Sequence, residues 1–531
     1  MGLFSSPAKV YKPAAEVDLG PHSVAGEHYI SPNVKAPRVA GLLVKMLAWV
    51  LETPVLGWIV LSVLKRDNLV YKLVSDAEIP EPPLFTATHT WQAAMPEKNV
   101  SVTEAGVSPA ERVQVAVAGI PADMEPAATA AALADGPSSS FRRWTVRDFH
   151  SAYSSGQTTP VMVARRFLAA VEECSGPDRN MGLFISCDPG DVLRQAQEST
   201  RRYQQGAPLS AMDGVLVAVK DEIDCLPYPT TGSVRMPAAL CGVVGFKPTA
   251  GRLSNSGLLP LNWTVGMPGI LAATVEDTLI AYAAIADQSK PSPLQQPELN
   301  LPLLTSTRSI PNIRLAKYAK WFDDSSEDIR SLCGKALQML RTHYGWESVE
   351  VTVPEIEEMR LAHYVTMGSE CTASLAKYLN NMDRSEIGWD VRIALSAYGS
   401  FSSRDYLNSQ RLRCRQMYFH EKIFETADAI VTPMTGVTAY ALQDDALSTG
   451  ELDYINGAAL VRYSIAGNFL GLPAITVPVG YDREGLPVGL QFIGRPWSEA
   501  TLLHLAYAMQ ESCGKEHCKK PKVHYDLLKK Q

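Results

Sequence analysis

Short β-branched apolar runs separated by long amphipathic stretches limit this chain to one broad architecture. The runs are GVLVAVK (214–220), IRLAKY (313–318), SVEVTV (348–353), DAIVTP (428–433) and AITVPVG (474–480). Each has strand length, and the first, continuous and apolar after a glycine, reads as a strand buried on both faces. Stretches with helical spacing lie around them, among them VRDFHSAYSSG (146–156), PVMVARRFLAAVEEC (160–174) and SSEDIRSLCGKALQML (325–340). Strands separated by helices predict an α/β fold, a sheet layered with helices on both faces.

The N-terminal part is organised differently. Residues 1–36 are rich in Pro, Ser and Gly and carry no apolar stretch beside Met1, which predicts a disordered segment and no cleaved secretory signal. From Val39 to Leu64 only Lys45 and Glu52 are charged, and with Arg38 they recur every seven residues, on one face of a helix. The longest charge-free run, Thr53 to Leu64, is 12 residues and starts at a Pro54 break, whereas crossing a bilayer takes about 20. Residues 37–75 therefore read as an apolar helical hairpin. It either lies in a membrane interface, anchored by Trp49 and Trp58, or packs on the protein's own core or a second subunit. Residues 76–140 read as irregular, with a low-complexity stretch at 119–140, and residues 141–525 as the compact domain.

A net charge of −7 over 531 residues, with no basic stripe, argues against a nucleic-acid partner. Nine cysteines without framework spacing fit a reducing, intracellular compartment. Cys513, His517 and Cys518 form one isolated cluster without the second pair a zinc site needs. Neither HExxH, GxGxxG nor GxxxxGKS occurs, so no metal or nucleotide cofactor is expected.

Two residues are candidates for chemistry. Lys220 ends the first apolar run, and ligands gather at the carboxyl ends of strands in open α/β sheets. A lysine acts as a base only when its neutral form is stabilised, usually by desolvation; the alternative is an ion pair with Asp221, Glu222 or Asp224. Ser233 lies four residues before Pro237, near the start of a short helix (PAALCG), where free backbone N–H groups suit an oxyanion. A plain N-cap is the alternative. Arg235 either orients a carboxylate or forms a surface salt bridge.

Taken together these residues resemble the amidase signature family. The match comprises Lys220 after its apolar run, GSVRMPA (232–238), then Gly242, Gly245 and Lys247-Pro248-Thr249, with DAIVTPMTG (428–436) and GLPAITVPVGYDREGLPVGLQFIGRP (471–496) farther on. The apolar N-terminal extension, FRRWTVRDF (141–149) and WFDDSSEDIR (321–330) look most like plant fatty acid amide hydrolases. The resemblance implies a central twisted mixed sheet covered by helices. It also implies a Ser-Ser-Lys mechanism with Lys220 as base, Ser233 as nucleophile, and Thr230, Thr231, Gly232 and Ser233 around the oxyanion and substrate. Fatty acid amides such as N-acylethanolamines would be the substrates, without metal or organic cofactor. An association with the endoplasmic reticulum or plasma membrane and a homodimer also fit. A small-amide amidase and a non-catalytic lipid-binding relative are the alternatives.

One departure from the family stands out. The relay serine of the family sits in a Gly-Gly-Ser-Ser-Ser-Gly segment, and an Asp-Gly-Gly-Gly lead-in precedes the nucleophile. Here Lys220 and Ser233 are only 13 positions apart, DEIDCLPYPTTG runs straight into SVRMP, and no Gly-Gly-Ser-Ser stretch occurs in the chain. Ser139 and Ser140 belong to the low-complexity stretch. The pattern reads as an internal excision near 225–233 that removes the relay serine together with a strand and a helix, and it predicts an impaired enzyme.

Overall fold

The structure, a computed structural model, describes residues 8–21, 29–31, 34–87, 99–103, 106–121, 143–220, 234–259, 261–286, 297–310, 312–379, 382–443, 446–513, 519 and 521–528. Thr230, Thr231, Gly232 and Ser233 lie outside them, as do His517, Cys518 and most of the low-complexity stretch.

Among the described residues seven strands form the main sheet: β1 (Val244–Lys247), β2 (Ile270–Ala272), β3 (Arg314–Lys317), β4 (Glu347–Glu350), β5 (Ala429–Pro433), β6 (Ala474–Tyr481) and β7 (Pro487–Gly494). Their spatial order is β2-β1-β6-β7-β5-β3-β4. The pairs β3–β4 and β3–β5 are parallel and the rest antiparallel, so the sheet is mixed.

The helices that matter for the site are α1 (Leu42–Glu52), α2 (Pro54–Asp67), α3 (Val146–Ser154), α4 (Pro160–Ser175), α5 (Pro189–Gln204), α6 (Arg235–Cys241), α7 (Val275–Ile285), α8 (Glu327–Tyr344), α9 (Ile356–Leu379), α10 (Trp389–Tyr398), α11 (Ser403–Phe424), α12 (Ile465–Phe469) and α13 (Glu499–Cys513). Both faces of the sheet are covered, and strand alternation decides which residue enters which core. Ala429 and Val431 of β5 join Leu279 of α7, Leu340 of α8 and Leu505 of α13, whereas Ile430 between them joins Met359 of α9, Leu412 of α11 and Phe469 of α12.

The N-terminal helices meet at 106° across Thr53, with Pro54 as the first residue of α2. Val44, Ala48 and Leu51 of α1 pack with Ile393 of α10 and with Leu452. Two of the three stripe charges face the body: Arg38 pairs with Glu451 at 2.6 Å and Asp453 at 2.9 Å, and Glu52 accepts two hydrogen bonds from the guanidinium of Arg392. No described helix is long and apolar enough to cross a membrane.

One expected strand is missing. Residues 215–220 make no ladder, and Val217 and Val219 are 66% and 51% exposed. A run buried on both faces needs a strand on each side and helices above and below. Here residues 217–220 are exposed and only the start of the run is packed, with Val215 against the main core and Leu216 beside Trp144 and Tyr203. The reading of GVLVAVK as a buried strand is therefore corrected.

An acidic cluster joins α3 to α7. The carboxylate of Asp277 accepts from the Val146 N–H at 2.9 Å, while Thr145 and Asp148 close a capping box on α3. Burial, with Glu276 and Asp148 nearby, lifts the Asp277 carboxyl to about 7, and burial also raises that of Glu276. A carboxyl whose folded value exceeds its unfolded value favours the fold in its protonated form. The resulting stability is present at low pH and lost as pH rises from about 4 to about 7. Asp277→Asn keeps an acceptor for Val146 without the charge. Its melting temperature is expected to exceed that of the parent by a clearly wider margin at pH 8 than at pH 5; equal gaps at both would contradict the assignment.

Candidate active site

Helix α6 is only seven residues long and is fixed from below. It ends at Gly242 (φ 64°), a left-handed position open to glycine, where the Val243 N–H reaches the Ala238 carbonyl at 2.9 Å. It lies on the sheet so closely that a Cβ on Gly245 would stand 2.6 Å from that of Ala238. The first described residue after Ser233 is Val234, next to the start of α6.

The main pin is Arg235, 1% exposed. Its guanidinium donates to the side chains of Gln491 on β7 and Asn468 on α12, and to the Ser464 carbonyl at 3.0 Å. Gln491 in turn donates to Thr432 on β5 at 3.0 Å and to the Tyr463 carbonyl at 2.8 Å. Residue 467 must be glycine-sized, since a Cβ there would lie 2.7 Å from the guanidinium. The two sequence readings of Arg235, a substrate carboxylate or a surface salt bridge, both give way to an internal tie between the two halves of the signature.

A second tie follows β1. Lys247, 3% exposed, donates to the Pro248 carbonyl at 2.8 Å and sits 3.0 Å from the Met267 sulfur. Burial, with Arg235 nearby and Glu499 opposing, holds its ammonium well below the usual lysine value. The Thr249 N–H reaches Glu499 at 2.9 Å, the Thr249 hydroxyl takes the Trp497 N–H at 2.9 Å, and the Ala250 N–H meets the Gly471 carbonyl at 2.9 Å. Two motifs more than two hundred residues apart in sequence are thus interlocked.

Lys220 lies outside the sheet. It is exposed, at the end of the run that forms no strand. The desolvated strand end expected of a base lysine is absent there. No group of three or more His, Cys, Asp or Glu side chains among the described residues is arranged to hold a metal ion.

Comparison with known proteins decides the family. The amidase profile matches residues 229–503, a span that contains the serine motif, the Arg235 tie and the C-terminal signature but not Lys220. A fatty acid amide hydrolase from Oryza sativa subsp. indica is 35% identical, over 98% of this chain and 99% of its own. The chain belongs to the amidase signature family. The Arabidopsis thaliana fatty acid amide hydrolase is 36% identical over the same shares of both chains, so this is an amidase-type hydrolase similar to the plant enzymes. These two alignments run over 617 and 615 positions against the 531 residues here, so both relatives contain positions without a counterpart in this chain. Among solved structures, native peptide amidase from Stenotrophomonas maltophilia shares the fold, with a TM-score of 0.56 and 19% identity over 72% of this chain and 98% of that one.

Proposed function

We propose that this chain is a serine hydrolase of fatty acid amides, N-acylethanolamines among them, and that catalysis is impaired in the 531-residue form. In this reading Ser233 is the nucleophile and Lys220 the base: with the relay serine that this form lacks in place, the Ser233 hydroxyl would pass its proton through that serine to Lys220 while its oxygen attacks the amide carbonyl. The C–N bond then breaks, the amine leaves with the proton, and water hydrolyses the acyl-serine. The similarity to plant fatty acid amide hydrolases supports the substrate class. The observation that carries the impairment is the contrast between α6, held by the Arg235 network, and Lys220, exposed on a run outside the sheet.

Substrate class is tested on protein in which a plant relative's segment between lysine and serine is inserted between Lys220 and Ser233. Each buried CH₂ contributes about 0.8 kcal/mol, nearly fourfold, so kcat/KM should rise steeply from short to long acyl chains. A flat profile favours a small-amide amidase and contradicts the lipid reading.

The hairpin supports membrane association. Leu42, Leu43, Met46 and Trp49 of α1 and Val55, Leu56 and Trp58 of α2 are all exposed, a patch of the kind that seats in a membrane interface. Leu43→Asp with Trp58→Asp leaves the packed face of Val44, Ala48 and Leu51 intact. The double variant is expected to lose binding to phospholipid vesicles that the parent retains; equal binding of both would contradict the assignment.

A further inference from the structure

We propose that a cavity between the N-terminal segment and the sheet binds a small hydroxylated carboxylic acid. The cavity, of about 290 Å³, lies outside the carboxyl ends of the parallel strands β3 and β4: Tyr318 directly follows β3, and Val353 follows β4 by a few residues. Ligands gather at that end of the strands in open α/β sheets. Across the sheet β1 and β3 are four ladders apart, about 19 Å, so the cavity lies away from the strand that follows α6. Its volume is that of roughly ten waters in the liquid, which suits a molecule of about that many heavy atoms.

Two charged side chains set its chemistry. Glu358, in the first turn of α9, is buried. Its Oε1 takes the Lys9 ammonium at 2.7 Å, and no other donor among the described residues is hydrogen-bonded to this carboxylate. Lys72 lines the same cavity, and its ammonium makes no ion pair or hydrogen bond among the described residues. The backbones that carry the two are fixed. The Lys72 carbonyl takes the Lys9 N–H at 3.0 Å, and the Leu73 carbonyl takes the Tyr11 hydroxyl at 2.8 Å. At the start of α9, Arg415 donates to both oxygens of Glu355 at 2.6 and 2.8 Å, and Gln416 donates to the Pro354 carbonyl at 3.0 Å. Tyr29 and Tyr318, with ring centroids 6.0 Å apart, and Leu73 supply apolar wall between the two charges. Lys72 therefore suits a carboxylate. Glu358, already neutralised by Lys9, suits a hydroxyl donor, since a further cation there would meet the Lys9 ammonium.

The experiment is calorimetric titration of the full chain with para-hydroxyphenylacetate, which carries a carboxylate and a hydroxyl at opposite ends of an apolar ring. It is expected to bind once per chain with a Kd below about 1 mM. Phenylacetate, which lacks the hydroxyl, is expected to bind the parent at least about tenfold more weakly. Lys72→Met removes an exposed cation, and its affinity for para-hydroxyphenylacetate is expected to fall by a similar factor. An analogue with an alcohol in place of the carboxylate should not distinguish Lys72→Met from the parent. Absence of saturable binding in the millimolar range, phenylacetate binding as tightly as the hydroxylated acid, or equal affinity of Lys72→Met and the parent for that acid would each overturn the proposal.

Discussion

Inserting the lysine-to-serine segment of a plant relative between Lys220 and Ser233 is expected to raise turnover of a long-chain acylethanolamide by at least about 10⁴-fold. Positioned proton transfer is worth about 10²–10⁴ in rate, and one oxyanion donor about 10²–10³. Groups that act as a unit do not add, so the lower end of the combined range is the firm expectation. The insertion changes more than the chemistry. It is also expected to give new neighbours to Val217 and Val219, which face solvent in this fold. The comparison is steady-state hydrolysis by both purified forms, with thermal unfolding of each. Similar rates would mean that another group relays the proton, Thr230 and Thr231 being the first to substitute.

Arg235→Ala is expected to destabilise the protein by roughly 4 kcal/mol or more. Three acceptors, on Gln491, Asn468 and the Ser464 carbonyl, lose their donor in a site that water does not reach. Each unsatisfied buried group costs about 1–3 kcal/mol, and the truncated side chain leaves a cavity beside Gly467. Arg235→Lys should recover only part of the loss, since an ammonium lacks the planar fork that serves separate acceptors. Urea denaturation of the two variants measures this. A loss below about 1 kcal/mol for Arg235→Ala would show that the network is not what holds α6.

The sequence was informative where a strand's neighbours are themselves regular. DAIVTP and AITVPVG coincide with β5 and β6 nearly residue for residue, and IRLAKY with β3. SVEVTV is displaced, the ladder covering Glu347–Glu350, because β4 pairs with β3 alone and its register is set from one side. GVLVAVK failed for a different reason. Its pattern states an intrinsic preference for a buried strand, but a ladder needs partners, and propensity yields to context. The four-residue β1 was too short to register as a period. Arg235 and Lys247 were visible as motif letters, yet their burial was not. The available signal was a lone cation among small apolar residues with no acid nearby, in GSVRMPAAL and GVVGFKP. Such a cation has no local partner, and here it finds distant ones.

The proposed mechanism makes Ser233 the nucleophile of an amidase signature site that lacks its relay serine in this form. The most direct test is the rate and position of covalent labelling by a fluorophosphonate, followed by mass spectrometry of the adduct. The account predicts label on Ser233 in the form with the inserted segment, none in its Ser233→Ala variant, and labelling of the 531-residue form slower by about 100-fold or more. Label on a different serine, or equally fast labelling of Ser233 in both forms, would contradict it.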